Sequence, residues 1–109
     1  MHKKVITRIW HGITKCSDAD VYLKYIEETG IRNYREVEGN LSAKILRRIE
    51  GDICHFLTIT EWDSYESIKR FAGNDYEKAK YYVEDKEYLL EFEEKVQHFE
   101  TTTMRLSIS

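Results

Sequence analysis

The chain lacks the features that mark membrane-spanning, secreted and multidomain proteins. Its 109 residues include no proline, no low-complexity segment and no internal repeat, so nothing marks a linker between domains. No run of about 18 apolar residues is present, and the first ten residues, MHKKVITRIW, do not resemble a secretory signal. We therefore expect one domain of a cytoplasmic protein that has no membrane partner.

Cysteine and clustered basic charge are also scarce. Cys16 and Cys54 have neither the spacing of metal ligands nor the number needed for a disulfide framework, so free thiols are expected. The four histidines show no paired spacing, which predicts that there is no intrinsic metal site. The formal net charge is −3, with Lys and Arg scattered among acidic residues, so nucleic acid is not expected as a partner.

Several segments that are present show strand periodicity. Residues 4–14, KVITRIWHGIT, alternate along a predicted strand. Residues 41–49 and 53–61 predict two more strands, joined in a hairpin at Gly51, where glycine can take a positive φ. Residues 94–105 are rich in β-branched and aromatic residues and predict a last strand.

Helical spacing fills the intervals between these strands. Ser17 and Asp20 resemble a capping box, and the apolar stripe that follows ends at Gly30. A second helix is predicted to begin at Asp63 and to end before Gly73.

The segment after the second helix predicts broken helical structure. A short helix is expected from Asn74, and a fractured helical region continues through Leu89. On a helix Tyr81 and Tyr82 would point about 100° apart, so only one of them is expected to face a site.

The resulting order, β-α-β-β-α-β, predicts an α+β protein with the ferredoxin-like fold, an antiparallel sheet covered by helices on one face. Both faces of the first strand carry large apolar side chains, Ile6 and Trp10 on one and Ile9 and Ile13 on the other. A solvated face normally alternates to polar residues. We therefore expect an identical sheet from a second subunit to cover the other face, the alternative being long side chains left exposed to water.

A set of short strings, in order along the chain, carries a resemblance to a known family. They are TRIWHG at 7–12, GN at 39–40, LRRIEGD at 46–52, HFLTITEW at 55–62, IKRFAGNDYEKAKYYVED at 68–85 and VQHFE at 96–100. Together they resemble the antibiotic biosynthesis monooxygenase family of dimeric α+β barrels. The resemblance implies that residues 1–109 form one such domain, that the protein is a homodimer, and that each subunit has a pocket between its sheet and helices.

The resemblance also implies a choice of chemistry. Some members of the family oxidise electron-rich phenols with oxygen and use no flavin or metal, and others bind and degrade haem. The haem-degrading members carry an Asn on the first strand, a Trp in the later helix and a His ligand beyond it. Here residues 3–15 contain no Asn, Phe71 stands at the Trp position, and Tyr81 or Tyr82 stands at the His position. Because tyrosine can bind haem iron, this branch is weakened but stays open.

Cofactor-free oxidation of a phenol requires a base and hydrogen-bond donors. The family pattern suggests that the strand face of Thr7, Ile9 and His11 lies under the helices. His11 is then the expected base, because histidine titrates near neutral pH. Thr7 and Ile9 are expected to contact the substrate, and Trp10, on the opposite parity, is expected in the dimer interface.

Further candidates line the pocket in this hypothesis. Trp62 and one of Tyr81 and Tyr82 are expected as donors, and Phe71 and His98 as substrate contacts. Packing or a structural hydrogen bond is the alternative for each of them, and for His11 the alternative is a hydrogen bond at a strand end or in the dimer seam. His2 and His55 are expected at the surface, and the three arginines of the strands, Arg8, Arg47 and Arg48, are expected to pair with acidic residues in the dimer seam.

Two functions follow from these expectations. The first is a cofactor-independent monooxygenase that acts on a small aromatic or quinol-like metabolite. The second is a dimeric small-molecule-binding protein without turnover. Nothing in the composition specifies the substrate.

Overall fold

Five strands and three α-helices make up the fold. The computed structural model describes residues 4–103, apart from the side chains of residues 31 and 32. The strands are β1 (Val5–Lys15), β2 (Asn40–Glu50), β3 (Ile53–Trp62), β4 (Leu89–Glu91) and β5 (Gln97–Thr101), and the helices are α1 (Ala19–Ile26), α2 (Arg32–Glu36) and α3 (Tyr65–Ala72).

All strand pairs of the sheet are antiparallel. β2 pairs with β3, and β3 pairs with β1 along the whole of its length. The other edge of β1 is shared by β5, along residues 5–9, and by β4, at residues 13 and 14. Two short strands therefore occupy the position of the fourth strand, and the predicted α+β fold with a ferredoxin-like antiparallel sheet is confirmed.

The hairpin between β2 and β3 forms where it was predicted. Gly51 has φ +60°, a backbone conformation that glycine adopts without steric cost. Along β3 every second side chain, from Cys54 to Trp62, is buried, and the side chains between them are half-buried. This alternation shows that the helices cover one face of the sheet and leave the other face uncovered within the chain.

Two clusters of buried side chains lie between the helices and the sheet. In the first, Tyr22 and Ile26 of α1 pack on Phe56 of β3. In the second, Ile68 of α3 packs with Trp62. Ser64 caps α3 by accepting a hydrogen bond from the backbone N–H of the third helical residue, one position after the predicted start at residue 63.

The first helical region departs from the sequence prediction at both ends. The capping box of Ser17 with Asp20 does not form, because a 3-10 turn over Cys16–Asp18 precedes α1. The helix also does not stop at Gly30, whose φ is not positive; the chain continues through a π-helical turn, Glu27–Ile31, into α2. The break comes at Gly39, with φ +96°.

The helix predicted from Asn74 is absent from the described structure. A turn there leads into an extended segment, and Lys78 forms a bridge with Lys95. The backbone N–H of Ala79 donates to Glu94, so the segment pairs with the later chain and not with itself. Tyr81 and Tyr82 consequently do not lie on a helix. A 3-10 turn over residues 83–87 follows, and Leu89, which was expected in a helix, begins β4.

Two sequence expectations concern residues at the ends of the chain. His2, and residues 104 and 105 of the predicted last strand, lie outside the described residues. No helix within residues 4–103 is both long enough and apolar enough to cross a bilayer. In the same range no three His, Cys, Asp or Glu side chains group closely enough to hold a metal ion.

Candidate functional site

A cavity of about 560 Å³, including its open mouth, lies between the sheet and the helices. Seven of its fifteen described lining residues are aromatic, and ten of the fifteen carry a hydroxyl or a charged group. The lining residues named below are Arg8, Trp10, Tyr22, Tyr34, Phe71, Lys80, Tyr81, Tyr82 and Asp85. Such a concave site, in which aromatic walls and polar groups converge, is typical of small-molecule binding.

The face of β1 that forms a wall of this cavity is the opposite of the expected one. Arg8 is 3% exposed and lines the cavity together with Trp10. Thr7, Ile9 and His11 have the other parity and lie on the uncovered face of the sheet. Since successive side chains of a strand point to opposite faces, the assignment of the helix-covered face was wrong by one residue.

Trp10 and Tyr81 form a hydrogen-bonded pair in the wall. The indole N–H of Trp10 donates to the Tyr81 hydroxyl at 3.1 Å, and this hydroxyl donates to the carbonyl of Glu93 at 2.7 Å. Burial raises the pKa of Tyr81 above its ordinary value. A Cβ at position 12 would overlap the indole ring, so Gly12 leaves the space in which Trp10 lies. The expectation that Trp10 belongs to a dimer interface is therefore wrong.

Asp85 is the only carboxylate among the lining residues that the structure describes. Its side chain is buried and accepts hydrogen bonds from the Tyr22 hydroxyl at 3.0 Å and from the Tyr82 backbone N–H at 2.6 Å. Burial raises the pKa of Asp85, which makes the ionised carboxylate a stronger base than an exposed one. Burial, and then the nearby Asp85 charge, raise the pKa of Tyr22.

Arg8 brings a buried positive charge to the cavity. Its Nη2 donates to the carbonyls of Tyr76 and Lys78 at a long 3.5 Å, and its buried Nε has no partner. Its guanidinium carbon lies 5.4 Å from the centre of the Phe71 ring. Burial lowers the pKa of Arg8 from its usual value.

Two of the three strand arginines pair with acidic residues, as expected, whereas the location of such pairs in a dimer seam stays a prediction. Arg47 pairs with Asp20 at 2.7 Å, and Arg48 pairs with Glu50 at 3.1 Å, both within the chain. For Arg8 the expectation is wrong, because none of the ion pairs in the described part of the chain includes its guanidinium.

The structure places the remaining predicted site residues in different surroundings. Phe71, Tyr81 and Tyr82 all line the cavity, so both tyrosines face it and not one alone. The Tyr82 hydroxyl accepts a hydrogen bond from the side chain of Asn33 at 3.3 Å. Trp62 is fully buried in the second core cluster, outside the lining, and its indole N–H donates to Thr60 at 2.8 Å.

His98 lies beside the cavity and not in its lining. Its backbone pairs with Arg8, and its half-buried ring contacts Tyr65 and Tyr76. Burial and the Arg8 charge lower the pKa of His98 to about 4, so the ring is neutral at pH 7.

His11 belongs to a polar row on the uncovered face of the sheet. One ring nitrogen bonds to Glu93, and the other lies 3.0 Å from His55. His55 in turn contacts Glu50 at 3.3 Å. The side chain of His55, expected at the surface, is only 18% exposed. The row Glu93, His11, His55, Glu50 is thus separated from the cavity by the thickness of the sheet.

Of the described cavity residues, sequence reasoning predicted Phe71, Tyr81 and Tyr82 and missed the others, among them Arg8, Trp10 and Asp85. Arg8 and Trp10 share the parity of Ile6 and could have been found by choosing the other face of the alternation. Asp85 gave no sequence signal, because its position depends on the extended segment that replaces the predicted helix.

Comparison with known proteins locates the fold among solved structures. No family model and no curated protein sequence matches the chain. A Nitrosomonas europaea protein assigned to the antibiotic biosynthesis monooxygenases is similar with TM-score 0.64 at 10% identity, over 93% of this chain and 92% of that one. A Streptomyces coelicolor monooxygenase solved with nanaomycin D has TM-score 0.60 at 15% identity, over 97% and 93% of the two chains.

A third similar structure is a heme-degrading protein from Mycobacterium tuberculosis. Its TM-score is 0.59 at 16% identity, over 97% of this chain and all of the other. At such identities the similarity shows the fold and not the activity. The chain therefore has the fold seen in antibiotic biosynthesis monooxygenases, the family that its sequence strings resemble.

Proposed function

We propose that the chain binds a small aromatic or quinol-like metabolite in this cavity and oxidises it with O2, using no flavin or metal. The observation that carries this proposal is the pairing of a buried carboxylate, Asp85, with hydrogen-bonding aromatic residues in one aromatic-walled cavity. The similar Streptomyces coelicolor monooxygenase, solved with the ligand nanaomycin D, supports the same reaction class.

In this proposal Asp85 takes the proton of the phenol. The resulting phenolate transfers one electron to O2, and the substrate and superoxide radicals combine to form a carbon–oxygen bond. Asp85 returns its proton to the resulting peroxide anion. The hydroperoxide then loses water, so that a CH2 carbon of an anthrone becomes the carbonyl of a quinone, and one O2 gives one H2O. The Trp10 and Tyr81 pair holds one wall of the cavity in place around the ring.

The test is oxygen consumption by metal-stripped protein with a panel of hydroquinones and anthrones. We expect one quinone formed for each O2 consumed, at a rate well above that of the protein-free reaction at the same pH. If every member of the panel reacts only at the protein-free rate, the proposal fails.

Haem degradation is not the function that the residues of the cavity favour. None of its described lining residues is a histidine, cysteine or methionine. The Tyr81 hydroxyl is held between Trp10 and the Glu93 carbonyl, which leaves Tyr82, bonded to Asn33, as the tyrosine available to iron. We therefore propose no step that passes through haem.

A binding protein without turnover is the second candidate. The observation in its favour is that His11, the expected base, does not reach the cavity, so Asp85 alone would supply the base. Retention of a phenol in the cavity, with no oxygen consumed, would favour this function.

We also propose that a second copy of the chain covers the open face of the sheet. This face carries large apolar side chains, of which Leu46 and Phe99 are 45% and 46% exposed and Leu57 lies between His11 and Leu46. An identical sheet would bury them in a two-fold interface. A single domain over residues 1–109, a cytoplasmic location and the absence of a nucleic-acid partner stay predictions.

A further inference from the structure

The buried guanidinium of Arg8 lacks a counter-ion. The residue is 3% exposed, so water does not solvate its charge. Its Nε is without a partner, and its two hydrogen bonds to carbonyl oxygens are long. The Tyr34 hydroxyl also interacts with the guanidinium, but burial raises the pKa of Tyr34, so this neighbour is neutral and supplies no counter-charge. A buried charge is normally paired, because an unpaired one is strongly unfavourable. An anion is therefore the group that this position lacks.

The cavity has a cationic end. Lys80 also lines it, and its Nζ lies 5.1 Å from the centre of the Phe71 ring, close to the 5.4 Å distance of the Arg8 guanidinium carbon. Neither cation forms an ion pair within residues 4–103. Asp85 does not serve as the counter-ion, since none of the ion pairs in the described part of the chain joins it to Arg8 or Lys80.

We propose that the cavity binds an aromatic carboxylate, with the carboxylate on Arg8 and the ring against Phe71 and Trp10. The planar guanidinium matches a carboxylate in shape and can donate two parallel hydrogen bonds to it. The aromatic walls suit a flat ring system. This inference rests on the proposed function only in taking the same cavity as the binding site, and it specifies the class of substrate.

Calorimetric titration with matched ligand pairs tests the charge requirement. The ligands are 1-naphthoate, 2-naphthoate and anthracene-2-carboxylate, each compared with its neutral carboxamide. None carries a phenol, so binding is measured independently of oxidation. We expect at least one acid to bind about tenfold or more tightly than its amide, as a charge-assisted hydrogen bond to a buried cation requires.

Two variants of Arg8 and one control assign the preference to this residue. Arg8→Met should abolish the difference between acid and amide, and Arg8→Lys should weaken binding of the acid while leaving that of the amide unchanged. Lys24→Met, a control at an exposed lysine of α1 outside the cavity lining, should keep the full preference. If Arg8→Met does not fold, as judged by circular dichroism, the wild-type preference and Arg8→Lys still decide the question.

Three results would overturn the inference: equal binding of acids and amides by the wild type, no binding by any ligand of the panel, or a full preference retained in either folded Arg8 variant. Failure of the proposed function has a different signature. Acid preference without oxygen consumption by the corresponding hydroxylated acids would refute oxidation and leave the ligand class intact. Oxygen consumption with neutral phenols and no acid preference would instead support oxidation and refute the aromatic carboxylate as the ligand class.

Discussion

The two faces of the sheet are built from the same strands and have opposite chemistry. The face under the helices presents Arg8 and Trp10 to an aromatic cavity, whereas the face without helices presents apolar side chains around the His11 and His55 pair. The buried charge of Arg8 is unpaired, while each of the two histidines contacts a carboxylate. This difference is the basis of the two proposals, a ligand in the cavity on the covered face and a second copy of the chain on the open face.

The largest effect is expected from a charge placed on the open face, which should prevent the proposed dimer from forming. Leu57→Glu should convert a dimer into a monomer, because a carboxylate in the centre of an apolar interface would be buried without a partner. Light scattering should then show a fall from twice the 13.1 kDa chain mass to the chain mass itself.

Val21→Glu is the control for this prediction. Val21 is 55% exposed on α1, away from the open face, and its substitution should leave the mass unchanged. A wild type that is monomeric at micromolar concentration would contradict the assignment of the open face to a second copy.

The next largest effect should show whether Asp85 of the covered face or His11 of the open face is the catalytic base. Asp85→Asn should lower the oxidation rate of the best phenol by about 10²–10⁴-fold, the usual loss on removal of a general base. His11→Ala should leave kcat within about twofold, because its ring lies on the other side of the sheet from the substrate. A large loss of kcat in His11→Ala, with Asp85→Asn still active, would mean that the base is His11 on the open face and not Asp85 in the cavity.

A smaller effect should follow from changing the cavity wall without touching the ligand. Gly12→Ala would place a methyl group where the indole of Trp10 lies, and displacement of that wall should lower kcat/KM by roughly 10–100-fold. Gly51→Ala, in the hairpin, meets no atom within 4 Å and should cost only about 1–2 kcal/mol of stability, through its φ of +60°. Equal kinetics of the two folded variants would show that the position of Trp10 is unimportant.

The smallest effect concerns the charge next to the cavity. His98 has a pKa of about 4 in the folded protein, below the value of about 6.5 in an unfolded chain. Above pH 6.5 the ring is neutral in both states; as the pH falls from 6.5 to 4, only the unfolded chain takes up the proton. Folding stability attributable to His98 is therefore present above pH 6.5 and is lost as the pH falls.

Two measurements check this prediction. Urea unfolding at pH 7.5 and pH 5 should show a greater loss of stability for the wild type than for His98→Phe, in which the titrating group is absent. In an NMR titration Arg8→Met should raise the pKa of His98, because the neighbouring positive charge is gone. An unchanged pKa of His98 in Arg8→Met would mean that burial alone lowers this pKa and that the Arg8 charge has no effect on the His98 ring.

The alternation of apolar residues in residues 4–14 and 53–61, with Gly51 between two strands, was sufficient to predict the strands, the hairpin and the α+β fold. These features depend on neighbours in sequence, through side-chain period and backbone conformation. The same alternation did not determine which parity lies under the helices. Both parities of β1 are apolar, so the choice depends on helices that pack on it from elsewhere in the chain.

The cavity was decided by contacts between residues far apart in sequence. Residues 74–82 have helical spacing, yet the backbone of Ala79 pairs with Glu94, and this pairing brings Tyr81 to Trp10. The burial that isolates Arg8 and Asp85 likewise comes from several elements at once. Local sequence thus determined the strands and the element order. Only the tertiary structure decided which side chains share the cavity, because burial and long-range pairing are properties of the assembled chain.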